Sequence, residues 1–473
     1  MTISEGNSPS PMPSRHVNLI VLTACLSMLC YVVQKRTKTA LVVGDAMAMI
    51  DAYYVDPVDP EDLLLSAMNG MTSGLDDHSE FIPEQDYQSF QDSIQQEFAG
   101  IGIYVEQPEP EQPVRVVTPL VGSPALEAGL LPGDQILQVN SEDVSKMNLP
   151  DVSQRLKGPV GTTVELVVSR KEKKIDLTVR RDRIELDSVI GDHRDTTNQW
   201  VYRLKQRPEI AYLRLTGFGD RTTSEVKRIL TELNNDFDGL ILDLRGNGGG
   251  LLTSAVEISD MFLDEGRIVS TRTRGGKLED LFEATSGTLV DSRIPVSVLI
   301  DQDSASASEI VAACLQDQQR ARIVGKRSYG KGTVQHILPL QHGRSALRLT
   351  VAKYYRPNGQ NIHRQRDATE SDQWGVFPDE GYDVNLDEST LQQLAKRWRE
   401  ASYPLLATAN NDAENNDAEN NDGKTQPSNE EASDWSATED RLDTQLWAAV
   451  DGIRKTKADS NNRVSTEKSD GNK

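Results

Sequence analysis

The segment Ser304-Ala-Ser306-Ala-Ser308-Glu309 lies between an apolar run, Ile294–Ile300, and an apolar helix-forming run that reaches Leu315. A serine there holds its hydroxyl at a helix N-terminus, where unpaired amides and the positive end of the dipole can stabilise an oxyanion. Serine is also the favoured capping residue, so the segment alone reads first as a cap. A serine nucleophile needs a base as well. No histidine occurs within the segment, and His336 downstream falls in a strand-like stretch without a carboxylate to orient it. Lys331, flanked by Gly330 and Gly332 just ahead of the apparent strand Thr333–Leu338, is the other candidate. A lysine serves as general base once burial brings its pKa from about 10.4 to near 7–8, a shift of ~4 kcal/mol against the ammonium. Its orienting partner should be neutral, because a carboxylate would favour the charged amine. Gln335 qualifies chemically. At roughly 13 Å along a fully extended strand, it reaches Lys331 only if the turn folds back. Cys314, eight residues after Ser306 on the apolar face of the same helix, reads as a core residue.

Such groups need a scaffold, and the surrounding pattern is strand, helix, strand, helix. Ile210–Leu215 reads as a strand, and Thr222 and Glu225 read as a capping box before Val226, Ile229, Leu230 and Leu233, which share one helix face. Gly239–Leu244 is continuously apolar, as a buried strand would be, and Arg245-Gly-Asn-Gly-Gly-Gly250 turns the chain into a helix near Thr253–Phe262. The fold class is therefore α/β, with candidate sites at the turns after the strands.

Upstream, residues 40–95 carry helical periodicity, with Leu41, Val42, Ala46, Met49, Ile50 and Tyr53 near a 3.6 repeat. The Gly-rich stretch Phe98–Ile103, the segment Ser123–Leu130, the turn Gly133-Asp134 with strand Ile136–Val139, and the alternating run Val164–Val179 together resemble a PDZ domain. That resemblance implies that Gly100, Ile101, Gly102 and Ile103 form the loop whose amides hold a peptide's terminal carboxylate, the peptide adding as a strand at the sheet edge. Arg155 and Lys157 lie near the last helix of this block and read mainly as solvated surface.

The 473-residue chain has 51 Lys and Arg against 73 Asp and Glu, a net charge of −22. Attraction to a phosphate backbone then runs the wrong way, which argues against nucleic acid as a partner. Cysteines at 25, 30 and 314 make neither a disulfide framework nor a four-thiolate zinc site, and the six histidines lack ligand spacing. No metal or other cofactor is expected. Val17–Val33 is uncharged over 17 residues, about 25 Å as a helix, and reads as a signal-anchor or transmembrane segment. Lys35, Arg36 and Lys38 follow it while only Arg15 precedes it, so charge alone would keep the bulk of the chain inside. From 401 onward the chain turns acidic, with an NNDAE repeat between Asn410 and Asp422 that cannot bury enough surface to order itself. Beyond it Leu442, Leu446, Ala449, Val450 and Ile453 make an amphipathic stripe, a short helix that docks back or stays loose.

Lys331 follows Ser306 by 25 residues, and Gln335 follows Lys331 by four. With the motifs Gly74-Leu-Asp-Asp-His-Ser79, Leu242-Asp-Leu-Arg-Gly-Asn-Gly-Gly-Gly250, Ala352-Lys-Tyr-Tyr-Arg-Pro-Asn-Gly359 and Gly375-Val-Phe-Pro-Asp379, these spacings resemble the carboxy-terminal processing peptidases, or tail-specific proteases, over about residues 40–385. The resemblance implies a ClpP/crotonase-like α/β protease core (185–400) with an inserted PDZ domain (96–184). An anchor (1–37) and a helical region (38–95) precede them, and an acidic tail (401–473) follows. It implies a Ser-Lys dyad with Ser306 as nucleophile, Lys331 as base and Gln335 orienting the lysine. The oxyanion hole would use the Ala307 amide with one from Gly248–Gly250, either Gly249 or Gly250. Glu309 and Asp317 match supporting acidic positions, a role no better founded than plain capping or ion pairing. The expected substrates are unfolded or C-terminally tailed proteins, an activator at the PDZ groove being a second class of partner. The expected location is membrane-anchored with the catalytic part exported, periplasmic or extracytoplasmic. Two rivals stand beside this reading: a catalytically inactive PDZ scaffold that binds protein C-termini, and a crotonase-like acyl-transfer or hydratase enzyme. The first leaves the intact Ser306, Lys331 and Gln335 without purpose, and the second leaves the PDZ block unexplained.

Overall fold

The computed structural model describes residues 22–23, 27–28, 40–405 and 442–470. Most of the expected anchor Val17–Val33 and all of the NNDAE tract lie outside them. Among the described residues no helix is long and apolar enough to cross a membrane.

The chain divides into two units, Met1–Glu84 with Ile337–Leu349, and Gln85–His336 with Thr350–Lys473. In the first, helices cover 40–53 and Pro60–Ser73. Asp59 caps the second by accepting the Glu61 amide at 2.8 Å, with Pro60 in the first turn where a missing N–H is harmless. Glu80–Ile82 pairs antiparallel with Ala346–Arg348. The helical periodicity of residues 40–95 is thus divided among these two helices and Glu84–Gln95, with a strand between.

The second unit holds a sheet in which β1 (Arg207–Leu215), β2 (Gly239–Asp243), β3 (Val296–Ile300) and β4 (Ala321–Gly325) run parallel in that order. Val189–Ile190 pairs antiparallel at the β1 edge. Every residue of β2 and β3 is buried, the signature of parallel strands covered on both faces. On one face α1 (Thr222–Leu233), α2 (Leu252–Asp260) and α3 (Ala307–Asp317) pack on Leu240, Leu242, Val298 and Ile323. On the other, α4 (Thr444–Asp470) lays Leu446, Ala449, Val450 and Ile453 on Tyr212, Ile241, Leu299 and Val324. The amphipathic stripe near the C-terminus therefore docks, and strand alternation explains how one sheet carries two cores.

The capping box expected at Thr222 and Glu225 does not form. The N-cap is Arg221, which makes no side-chain cap. Glu225 instead accepts from the amides of Ser188 and Val189 and the Ser188 hydroxyl, tying α1 to the edge strand.

Residues Ile103–Glu106, Arg115–Pro119, Gln135–Val139, Thr163–Arg170 and Lys173–Arg180 make a separate antiparallel sheet around its own core of Val116, Ile136, Val164 and Val168. The Gly133-Asp134 turn forms with Gly133 at φ +88°, a value open to glycine. Buried Asp134 pairs with Arg170 at 2.7 Å and caps the Leu131 amide.

Candidate functional site

Chain reversal between β3 and α3 places three serines at one helix N-terminus, and their surroundings tell them apart. Ser304 donates its hydroxyl to Leu244 O at 2.9 Å, and Ser308 donates to Asn247 O at 2.8 Å, so both fasten α3 to the glycine turn. Ser306 stands between them as N-cap at φ +58°, ψ −112°, a conformation that costs a non-glycine residue about 1–3 kcal/mol and clusters at functional sites. Ala307 opens the helix, so its amide has no intrahelical acceptor.

Gly249 lies against this corner. A Cβ there would sit 2.6 Å from Ala305 O, 2.8 Å from Ser306 Cβ and 3.0 Å from Ala307 N, and the residue adopts φ +100°. No side chain fits. The Gly249 amide donates to Asn247 Oδ1 at 2.9 Å. Phe218 bridges to Gly250 by accepting from the Leu251 amide and donating to Gly249 O, a pattern that turns the Gly250 amide away from Phe218.

Glu309 joins the serine to the lysine loop. It is fully buried, and one oxygen, Oε2, accepts the Ser306 and Lys331 amides, each at 2.8 Å. The other, Oε1, accepts the Ser328 hydroxyl at 2.6 Å and the Gly330 amide at 2.7 Å. Burial pushes its pKa above the ordinary glutamate value against these four donors, which pull the other way. The backbone nitrogens of Ser306 and Lys331 thus lie no more than two hydrogen-bond lengths apart. The Tyr354 hydroxyl adds a second link, reaching Ser306 O at 3.2 Å and also Lys331 O. Tyr354 is buried, which raises its phenol pKa further above 10.

Gln335 donates its amide nitrogen to Thr333 Oγ1 at 2.9 Å and Thr350 Oγ1 at 3.1 Å. With both N–H groups engaged, its carbonyl oxygen remains as an acceptor. Asp317 lies at the far end of α3, roughly 16 Å from Ser306 at 1.5 Å per residue, where it pairs with Arg356 at 2.6 Å and holds Asn358. It anchors the Arg356–Gly359 turn and is not brought to the serine. Cys314 is fully buried, and desolvation pushes its thiol up to about 12. Sequence reasoning gave no role to Tyr354, Ser328 or Asn247; Tyr354 and Asn247 were visible only as members of longer motifs.

In the antiparallel domain, Phe98, Gly100, Ile101, Gly102, Ile103 and Leu156 line an apolar cavity of about 300 Å³. Gly102 has φ +78°, and a Cβ there would come within 2.4 Å of Ser123 Cβ. The helix Glu84–Gln95 supplies a further wall through Ser89, Asp92 and Ser93. Lys157 also lines the cavity, 3.4 Å from Asp92 and 5.9 Å above the Phe98 ring, whereas Arg155 pairs with Glu142 on the surface.

Residues 209–380 match the model of peptidase family S41, and residues 115–170 match that of the PDZ domain. A carboxy-terminal-processing protease of Bartonella bacilliformis is 37% identical over 378 residues, covering 76% of this chain and 81% of that protein. A carboxyl-terminal-processing protease of Synechocystis is 34% identical over 335 residues, 70% of this chain and 73% of its own length. Among solved structures, a photosystem II D1 C-terminal processing protease is 28% identical, with a TM-score of 0.41 over 77% of this chain and 98% of that one.

Proposed function

The chain belongs to the carboxy-terminal-processing proteases of peptidase family S41, and from that premise we propose which residues cut the peptide bond and how a substrate is held. It is a serine-type peptidase acting on protein substrates, with a PDZ domain. Ser306 is the nucleophile. Its Oγ attacks the scissile carbonyl while the neutral Lys331 amine takes the hydroxyl proton. The tetrahedral oxyanion is held by the Ala307 amide and a second amide from the glycine turn. Gly250 suits that role better than Gly249, whose amide already serves Asn247. Collapse expels the amine, which takes the proton from Lys331, and water then hydrolyses the acyl-enzyme by the same steps. The Gln335 carbonyl is the atom that accepts from Lys331 and steadies it.

The observation carrying this reading is the shared carboxylate oxygen. Glu309 Oε2 fastens the backbones of Ser306 and Lys331 to one point, which is what a two-residue site needs to keep nucleophile and base in register. A single missing oxyanion donor costs roughly 10²–10³ in kcat, so such register matters.

The substrates are unstructured C-terminal tails. The apolar groove beside Gly100–Ile103 suits a terminal side chain, and backbone amides of that loop suit the carboxylate, with main-chain pairing adding affinity at little sequence restriction. An activator carrying a free C-terminus would fit the same groove. The uncharged run Val17–Val33 supports membrane attachment, and we place the catalytic part on the exported side against the orientation that the flanking Lys35, Arg36 and Lys38 alone would favour. The test is to incubate the full chain with an unstructured polypeptide bearing an apolar C-terminal residue, beside Ser306→Ala. Wild type should cleave and the variant should lose activity, while amidating the substrate's terminus should raise KM. Cleavage persisting in Ser306→Ala would overturn the assignment; absence of cleavage by the wild type would return the inactive scaffold to favour.

A further inference from the structure

The helix that follows the acidic tract reaches the turn that serves the active site. Arg245 stands two residues beyond β2 and leads into the turn Gly246–Gly250. Its Nε donates to Asp243 Oδ1 at 3.0 Å, and Nη2 donates to Asp243 Oδ2 at 2.6 Å and Asp443 Oδ2 at 2.9 Å. Its Nη1 donates to Asp443 Oδ1 at 2.9 Å and Gln445 Oε1 at 3.1 Å. All five guanidinium N–H groups are thereby matched, two of them by Asp443 and one by Gln445 from the C-terminal segment. Arg245, Asp443 and Gln445 are 2%, 4% and 2% exposed, so water does not replace a lost partner. The Trp398 ring covers Arg214 at 3.5 Å and Arg245 at 5.2 Å, and Arg214 in turn donates to Arg245 O at 2.9 Å. Gln445 also donates to Val384 O, and Ile453 lies where a Cβ on Gly239 would come within 2.3 Å of it.

A buried, fully matched guanidinium fixes the backbone that carries it, and here that backbone leads within four residues to Gly249, packed on Ser306 and Ala307. We propose that Asp443 is a positioning residue of the peptidase site: docking of the C-terminal segment fixes Arg245, and Arg245 fixes the glycine turn that faces the developing oxyanion. A part of the chain that the sequence separates from the core by an acidic spacer is then required for turnover, while substrate capture is independent of it. The inference rests on the assignment of Ser306 and the glycine turn made above.

Steady-state cleavage of the unstructured tailed polypeptide by the full chain tests it, comparing wild type, Asp443→Asn and Ile453→Ala, with Tm measured for each. Asp443→Asn should lower kcat at least tenfold with KM within twofold of wild type. Ile453→Ala loosens the same helix without touching Arg245; it should lower Tm and leave kcat within twofold well below the transition. A folded Asp443→Asn with wild-type kcat, or equal loss of kcat in both variants, would overturn the proposal. Should Asp443→Asn fail to fold, Gln445→Ala is read in its place: a threefold or greater fall in kcat at constant KM supports the proposal, and an unchanged kcat overturns it. Wild-type protein that does not cleave would refute the peptidase assignment itself, a different result from wild type and Asp443→Asn cleaving alike.

Discussion

At Ser306 the groups that set the geometry are buried and paired: Glu309 accepts four hydrogen bonds, Tyr354 spans two carbonyls, and Arg245 has each N–H matched. In the PDZ groove the walls are mostly apolar, and its ion pair, Lys157 with Asp92, is a 3.4 Å contact in which the lysine side chain is 40% exposed. Exposed pairs of that kind contribute about 0–1 kcal/mol, whereas each buried donor left without a partner costs about 1–3 kcal/mol. The difference teaches where each region can tolerate change. Bond cleavage needs atoms held in place before the substrate arrives, and capture of varied tails needs a surface that accepts different side chains.

The largest effect that would sharpen or break this comparison is at Glu309. Glu309→Ala orphans four donors, two of them buried and two partly buried, so urea unfolding should show a loss of about 3 kcal/mol or more and kcat should fall ~10²-fold or further. A folded variant with normal kcat would mean that the shared carboxylate does not hold the site. Its titration has a definite sign. Burial raises the folded-state pKa above the unfolded value near 4.5, so the folded protein holds this proton more tightly. Stability from this group falls as pH rises from the unfolded to the folded value, then levels off. Activity should move oppositely, because the protonated acid accepts fewer hydrogen bonds: kcat should decline on the acid side at a pH above the ordinary glutamate range, and Glu309→Gln should erase that limb.

Next in size is Gly249→Ala. The new Cβ would meet Ala305 O at 2.6 Å in a backbone conformation that disfavours side chains, so kcat should drop roughly 10–10²-fold with KM little altered. The groove should answer in the other parameter and more weakly. Phe98→Ala should raise KM for tailed substrates up to about tenfold, as expected for 1–1.5 kcal/mol of lost apolar contact, and leave kcat within twofold. A kcat loss at Phe98 equal to that at Gly249 would erase the distinction between the two regions.

Much of this was legible in the chain itself, for reasons that can be named. The β2 and β3 strands announce themselves as continuous apolar runs, and α3 as the apolar run after them, because a sheet covered on both faces leaves no polar alternation. Ser306 was separable from Ser304 and Ser308 only through the family resemblance, which implies a nucleophile 25 residues before Lys331; the structure adds a strained N-cap at Ser306 and anchoring hydrogen bonds at the other two. What stayed hidden depends on distant partners. Glu225 has the spacing of a capping residue, yet its carboxylate serves Ser188 and Val189, which only the folded edge strand brings near. Asp443 precedes an amphipathic helix like an ordinary cap, and its guanidinium partner lies 198 residues away. Tyr354 and Ser328 could not be singled out because their partners are backbone atoms or a carboxylate across the fold. The wall that the helix Glu84–Gln95 adds to the groove has no local signal at all, since amphipathicity does not say which surface a helix will meet.

The central claim is that Lys331 removes the proton from Ser306, and the most direct measurement is the rate at which a fluorophosphonate phosphonylates Ser306, with loss of fluoride, across a pH series in wild type, Lys331→Ala and Lys331→Arg. The rate in wild type should rise with pH through one ionisation and fall ~10³-fold or more in both variants, as expected when a base is removed from an activated serine. Equal labelling in wild type and Lys331→Ala at neutral pH would contradict the account.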